Sequence, residues 1–287
     1  MTHPLTIPPL PDLRFARIPL PAQKRYLGDR FSYIEAGCPD APCVLFLHGI
    51  GSNATYFRYQ FLALSQYFRV VAWNAPGYWM SDNLATEHPS DADYAQAVTD
   101  FTQALGIDEV VLCGNSFGSV VAQAFAMRDP QRVRRLILTG TGVGQKQLSQ
   151  ERREKFQARA QRIRLGSYQY GDAGVDNLVG PHASPELRAL LVDVSRGTQA
   201  PGLLRAVSFR LSDFYTPDLA SALTMPVLLV QGSEDQMNPR QENADLLLPQ
   251  LPDGRLVELD GIGHLPEVED PGAFNQLLLD FVGTHQP

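Results

Sequence analysis

The chain has 287 residues, enough to bury a large core, so one large domain with an insertion or two domains are both open. Its 44% hydrophobic and 19% charged content is that of an ordinary globular protein, not of a disordered or fibrous chain. A formal net charge of −7 repels phosphate backbones and argues against nucleic acid as a partner.

The three cysteines, Cys38, Cys43 and Cys113, are odd in number and lack metal-type spacing. Cys113 lies in an apolar run, where a thiol acts as a small hydrophobe, and the set fits a reduced compartment. Met1 to Pro21 has neither a basic leader nor a continuous apolar stretch, and no run reaches the length of a membrane span. A cytoplasmic protein without membrane contact is expected.

Residues 1–22 read as an irregular arm, because Pro4, Pro8, Pro9, Pro11, Pro19 and Pro21 interrupt regular pairing. Arg25 to Ala36 reads as a hairpin turning at Gly28-Asp29. Short apolar runs follow at Val44–Leu47, Val70–Trp73, Val110–Cys113 and Leu136–Leu138, then at Val227–Val230 and Leu256–Leu259. Runs this apolar predict strands covered on both faces, as in a parallel sheet. Between them Tyr94, Ala97, Val98, Phe101 and Leu105 recur at helical spacing, as do Phe274, Leu277, Leu278 and Phe281. Phe117 to Met127 is apolar nearly all round, which suits a helix buried on a central sheet. The alternation specifies an α/β, doubly wound, mostly parallel sheet.

From 142 to 219 the alternation stops. Lys146 to Leu165 is basic with an apolar side of Phe156, Ala160 and Ile163, and Pro185–Val194 and Leu203–Leu211 read as further helices. The expected organisation is a core of residues 23–141 and 220–287 with a helical cap of residues 142–219 inserted. The basic residues of that cap read first as a solvated helix face and second as an attraction for an anionic substrate.

Gly114-Asn115-Ser116-Phe117-Gly118 lies between a strand and a helix, the context of a nucleophile elbow. The sharp turn demands small neighbours and lifts Ser116 out at a helix N-terminus, where N–H groups favour developing negative charge. An oxyanion needs two N–H donors. One is expected from Phe117 and the other from His48-Gly49-Ile50-Gly51, with Ile50 preferred and Gly51 the alternative. His48 is read as structural, holding this loop.

A serine hydroxyl also needs a base. Among six histidines His264, in Gly261-Ile262-Gly263-His264-Leu265-Pro266 after the last strand, has the right placement; His3 and His285 lie near the ends, His88 in a polar loop and His182 in the cap. The base in turn needs a carboxylate, and Gly232-Ser233-Glu234-Asp235 supplies two candidates, Glu234 and Asp235. The turn after Leu136–Leu138 reads Thr139-Gly140-Thr141-Gly142 and supplies none.

With these motifs in the order serine, acid, histidine, the chain resembles the α/β-hydrolase superfamily over nearly all its length after the arm. That family's Gly-x-x-Asp-x-x-x-Pro pattern matches Gly232, Asp235 and Pro239, which implies Asp235 as the acid. Asn74 to Ser81 resembles another family segment, with Trp79 where glycine is usual; its bulk is expected to wall off one side of the pocket. Serine instead of aspartate at the elbow disfavours haloalkane dehalogenase and epoxide hydrolase chemistry.

The elbow and Val133-Arg134-Arg135-Leu136 resemble meta-cleavage-product C–C hydrolases, although Leu265 stands where those have tryptophan. Gly202-Leu203-Leu204-Arg205-Ala206 with Asp213 is similar to 3-oxoadipate enol-lactonases and related esterases. The resemblance implies hydrolysis of a small carboxylic ester or lactone by Ser116, His264 and Asp235, with no metal or organic cofactor. The alternatives are C–C bond hydrolysis and a slow-turnover ligand receptor of the same fold. A small-molecule substrate is the implied partner, and homo-oligomer formation stays open.

Overall fold

The computed structural model describes residues 7–144, 146, 149–166 and 172–283. Eight strands form one sheet: β1 Leu13–Arg17, β2 Arg30–Ala36, β3 Cys43–Leu47, β4 Arg69–Trp73, β5 Val110–Asn115, β6 Val133–Thr139, β7 Val227–Gly232 and β8 Gly254–Leu259. Their order is β1-β2-β4-β3-β5-β6-β7-β8, antiparallel from β1 to β4 and parallel from β4 to β8. Helices α1 Arg58–Leu64, α2 Asp91–Ala104 and α3 Phe117–Arg128 alternate with these strands. Between β6 and β7 the chain forms α4 Gln150–Arg164, α5 Asp172–Asp176, α6 Pro185–Ser195 and α7 Ala200–Arg210. The core closes with α8 Ala244–Leu247, α9 Pro266–Glu269 and α10 Pro271–Val282. No described helix is long and apolar enough to cross a membrane.

The unbroken apolar strands follow from burial on both faces. In β3, Leu45 and Leu47 join the core on the α2–α3 side, while Val44 and Phe46 join the one shared by α1 and α10. In β5, Val110 and Leu112 divide from Val111 and Cys113 in the same way, as a two-residue period requires. At the sheet edge β8 is half-buried and exposed rather than covered on both faces. Helix α2 starts on a capping box between Ser90 and Asp93 and buries Tyr94, Ala97, Val98 and Phe101 completely.

Two expectations near the N-terminus are corrected. The arm is not irregular throughout: Leu13–Arg17, a stretch free of proline, forms edge strand β1. The hairpin partner of β2 is therefore β1, paired from Leu13↔Ile34 to Arg17↔Arg30, and Ala22–Arg25 is a 3₁₀ turn. The prolines bound the strand instead of abolishing it, and an edge position tolerates them.

Candidate active site

The tight turn between β5 and α3 places Ser116 at φ +54° and ψ −114°, a left-handed conformation that costs a non-glycine residue about 1–3 kcal/mol. A Cβ on Gly114 would stand 2.4 Å from Gly118 O, and one on Gly118 would stand 2.1 Å from Leu47 O. Both glycines are thus demanded by backbone contact. Ser116 N–H donates to Thr139 O at 3.0 Å, which ties the turn to β6. Unlike its neighbours Asn115 and Phe117, Ser116 is only half-buried.

His264 follows β8 and is 3% exposed. Its Nδ1–H donates to Asp235 Oδ2 at 2.9 Å, which assigns the tautomer and leaves Nε2 with a lone pair. The Asp235 carboxylate also accepts from Gln231 Nε2 (2.9 Å) and from the N–H groups of Met237 and Asn238 (2.9 Å each). Burial alone would raise its pKa. Its electrostatic pairing and hydrogen bond with His264, with the hydrogen bonds of Asn238 and Gln231, outweigh it and hold the carboxyl below its usual value. Glu234 is exposed, and its backbone N–H donates to Ile262 O at 2.8 Å.

Asn115 joins the serine and histidine segments, because its Nδ2 donates to Thr139 Oγ1 (3.1 Å) and to His264 O (3.3 Å). Among the described residues no hydrogen bond links Ser116 Oγ to His264. Such bonds are often long before substrate arrives. On the other side, a Cβ on Gly49 would stand 3.2 Å from Ser116 Cβ, so the 48–51 loop abuts the serine. The N–H groups of Ile50, Gly51 and Phe117 donate to no described residue. Phe117 opens α3, where the first N–H groups have no intrahelical acceptor.

His48 is fully buried beside this loop. Ala75 N–H donates to its Nε2 (3.1 Å), and its Nδ1–H donates to Gly49 O (2.8 Å). Burial lowers its pKa to about 4, so the ring is neutral and bridges two loops. His88 pairs with Ser208 at 2.9 Å, His182 is exposed, and His3 and His285 lie outside the described residues. Trp79 and Met80 take φ values of +31° and +68°. The Trp79 ring packs on Gly197 of the insertion, where a Cβ would stand 2.3 Å from ring carbon Cε3.

Sequence reasoning missed two acids. Neither Glu267 nor Glu269 was singled out from the sequence, yet Glu267 is fully buried. Tyr56 OH donates to it at 2.8 Å and Thr139 Oγ1 donates to its other oxygen, and burial raises its pKa against those bonds. Glu269 accepts three backbone N–H groups, from Gly180 (2.6 Å), Gly263 (3.0 Å) and Leu265 (3.0 Å). It thereby clamps the histidine loop to the insertion, and His264 N–H adds a bond to Leu178 O at 2.7 Å. The only sequence signal was proximity to His264.

A relative from Dechloromonas aromatica named 2-hydroxy-6-oxononadienedioate/2-hydroxy-6-oxononatrienedioate hydrolase 1 is 28% identical over 259 residues, covering 84% of this chain and 86% of the relative. A thermophilic esterase from Thermogutta terrifontis superposes with a TM-score of 0.81 at 22% identity, covering 94% of this chain and 98% of its own. The enol-lactonase from Burkholderia xenovorans LB400 gives 0.77 at 20% identity, covering 90% and 98%. The alpha/beta hydrolase fold family matches residues 42–271, and the chain belongs to that family.

Proposed function

We propose that the chain is a serine hydrolase with Ser116 as nucleophile, His264 as general base and Asp235 as the acid orienting it. The observation that carries the reading is the buried 2.9 Å pair of His264 Nδ1 and Asp235 Oδ2, hydrogen-bonded through Asn115 to the strained turn that bears Ser116. Nε2 takes the proton of Ser116 Oγ as that oxygen attacks a carbonyl carbon. The tetrahedral oxyanion is held by Phe117 N–H and by Ile50 N–H, with Gly51 the alternative donor. His264 then gives the proton to the leaving oxygen, and an acyl-enzyme remains. Water, deprotonated by the same nitrogen, attacks the acyl carbon and releases the acid, restoring the serine hydroxyl.

The substrate class is a small carboxylic ester or lactone, enclosed between the sheet and the cap of residues 142–219. Strand ends beneath an insertion are a common place for a small ligand, and the likeness to an esterase and an enol-lactonase supports the fold for it. A second reading, C–C bond hydrolysis of a dienedioate, is favoured by the name of the Dechloromonas aromatica relative. Leu265, which follows the base here, weighs against it. Labelling with a fluorophosphonate followed by peptide mapping tests the nucleophile without a known substrate. A single adduct on Ser116, lost in Ser116→Ala, is the expected result. An adduct elsewhere, or none, overturns the assignment. A neutral ester, an enol-lactone and a ring-fission dienone compared side by side then separate the two reactions.

A further inference from the structure

We propose that Glu267 is a positioning residue for the catalytic pair: it takes the Thr139 hydroxyl proton, so that the Thr139 oxygen holds Asn115 and Asn115 holds the backbone of His264. The proposal rests on the acyl-transfer reading above. Glu267 stands on α9, three residues beyond the histidine, and is 0% exposed. Its main chain is fixed independently, because Gln60 Nε2 donates to its carbonyl oxygen at 3.0 Å.

Asn115 and Thr139 are register partners at the ends of β5 and β6. They stand two residues beyond Cys113 and Ile137 and continue the buried face that those residues make apolar. Two hydroxyls reach the Glu267 carboxylate there: Tyr56 OH donates to Oε2 at 2.8 Å, and Thr139 Oγ1 donates to Oε1. A hydroxyl has one proton and two lone pairs, so a Thr139 proton committed to Glu267 leaves the oxygen free to accept. Asn115 Nδ2 donates to it at 3.1 Å and gives its other proton to His264 O at 3.3 Å. The donors thus run in one direction, from Asn115 through Thr139 to the carboxylate, and each bond polarises the next. Without that acceptor the buried Thr139 proton is orphaned, and the hydroxyl can turn it toward Asn115 only by giving up the amide.

The chain of bonds ends on both reacting segments. Asn115 immediately precedes Ser116, and Thr139 O accepts the Ser116 N–H at 3.0 Å. The His264 residue is held from two sides, by Asn115 on its carbonyl and by its own N–H on Leu178 O at 2.7 Å. Releasing the carbonyl lets the peptide tilt and carries the imidazole with it, and a small displacement of the base from the nucleophile is costly in rate. The Tyr56 arm of the same carboxylate differs. Tyr56 lies in the 3₁₀ turn Ala54–Phe57 and joins neither reacting segment by a side-chain hydrogen bond.

The two arms supply the test, read as kcat on p-nitrophenyl butyrate per site labelled to completion by a fluorophosphonate. Thr139→Val and Tyr56→Phe each remove one hydroxyl from the same buried carboxylate, and both should lower Tm. Only Thr139→Val should lower kcat, about tenfold, the worth of one buried hydrogen bond, with KM unchanged. Glu267→Met should lower kcat equally, and the double variant with Thr139→Val no further, because both changes break one chain. The proposal is overturned if E267M keeps kcat within about twofold of wild type, if Y56F loses as much as T139V, or if the losses multiply in the double variant. Should E267M fail to fold, the comparison of T139V with Y56F decides alone. Absence of a wild-type adduct on Ser116 would remove the acyl-transfer reading and this inference with it, whereas a normal adduct with unmoved kcat in T139V removes the inference only.

Discussion

Gly140 separates the end of β6 from the imidazole so narrowly that one methyl group there should disable the site. The residue has φ +46°, and a Cβ on it would stand 2.7 Å from both Cε1 and Nδ1 of His264 and 2.8 Å from the His264 carbonyl oxygen. Ordinary contacts begin near 3.4 Å, so in Gly140→Ala the ring must retreat by about 0.7 Å. That retreat disturbs the 2.9 Å bond to Asp235. A misplacement of about 1 Å can cost on the order of 10² in rate. The left-handed backbone adds a stability loss of about 1–2 kcal/mol. Gly106 separates the two effects: it has φ +63° but nothing within 4 Å of its missing Cβ. Gly106→Ala should show a similar drop in Tm with kcat/KM on a short ester unchanged. Gly140→Ala should lose about 10² in kcat/KM beyond that control. If G140A keeps activity within a few-fold of G106A, then Gly140 does not guard a working imidazole, and the catalytic reading of His264 is wrong.

Two further outcomes follow from the same geometry. Asp235→Asn places an amide against the Nδ1–H of His264 and favours the wrong tautomer; kcat should fall on the order of 10⁴, while Glu234→Gln, at an exposed position, should change it little. The reverse ranking would move the acid to Glu234. His48 has a folded pKa of about 4 against an ordinary 6.5, so it binds protons more readily when unfolded. Its contribution to stability is complete above 6.5 and is lost as pH falls toward 4, amounting to roughly 3 kcal/mol at most. In His48→Gln the decline of Tm over that window should be shallower than in the wild-type protein, and an equal or steeper decline would contradict the buried neutral ring.

The fold was readable where burial is two-sided and local. Val44–Leu47 and Val110–Cys113 announce strands because both faces meet apolar helices, so no polar residue can intervene. Helices α2 and α10 announce themselves by the same logic at helical period, and α3 by being apolar nearly all round. The reading failed at β1, whose burial alternates weakly and whose pairing depends on a partner beyond a twelve-residue connection, Ile18 to Asp29. Proline is a local signal, and edge pairing is not.

The candidate site divides along the same line. Ser116, Asp235 and His264 stand at strand ends, where turn glycines mark them, and the chain brings the acid and the histidine into contact. The groups around them carry no such mark. Glu267 and Glu269 are charged, and a charge in sequence reads as solvent-facing because burying one is expensive. Each is held by groups elsewhere in the chain: Tyr56 and Thr139 receive the buried Glu267, and the N–H groups of Gly180, Gly263 and Leu265 receive the half-buried Glu269. Those receiving groups are separated from their charges by tens to hundreds of residues in all but the nearest cases, so no local pattern can report them. By the proposed reading the strand-end triplet supplies the chemistry, and Glu269 holds the loop that carries the base.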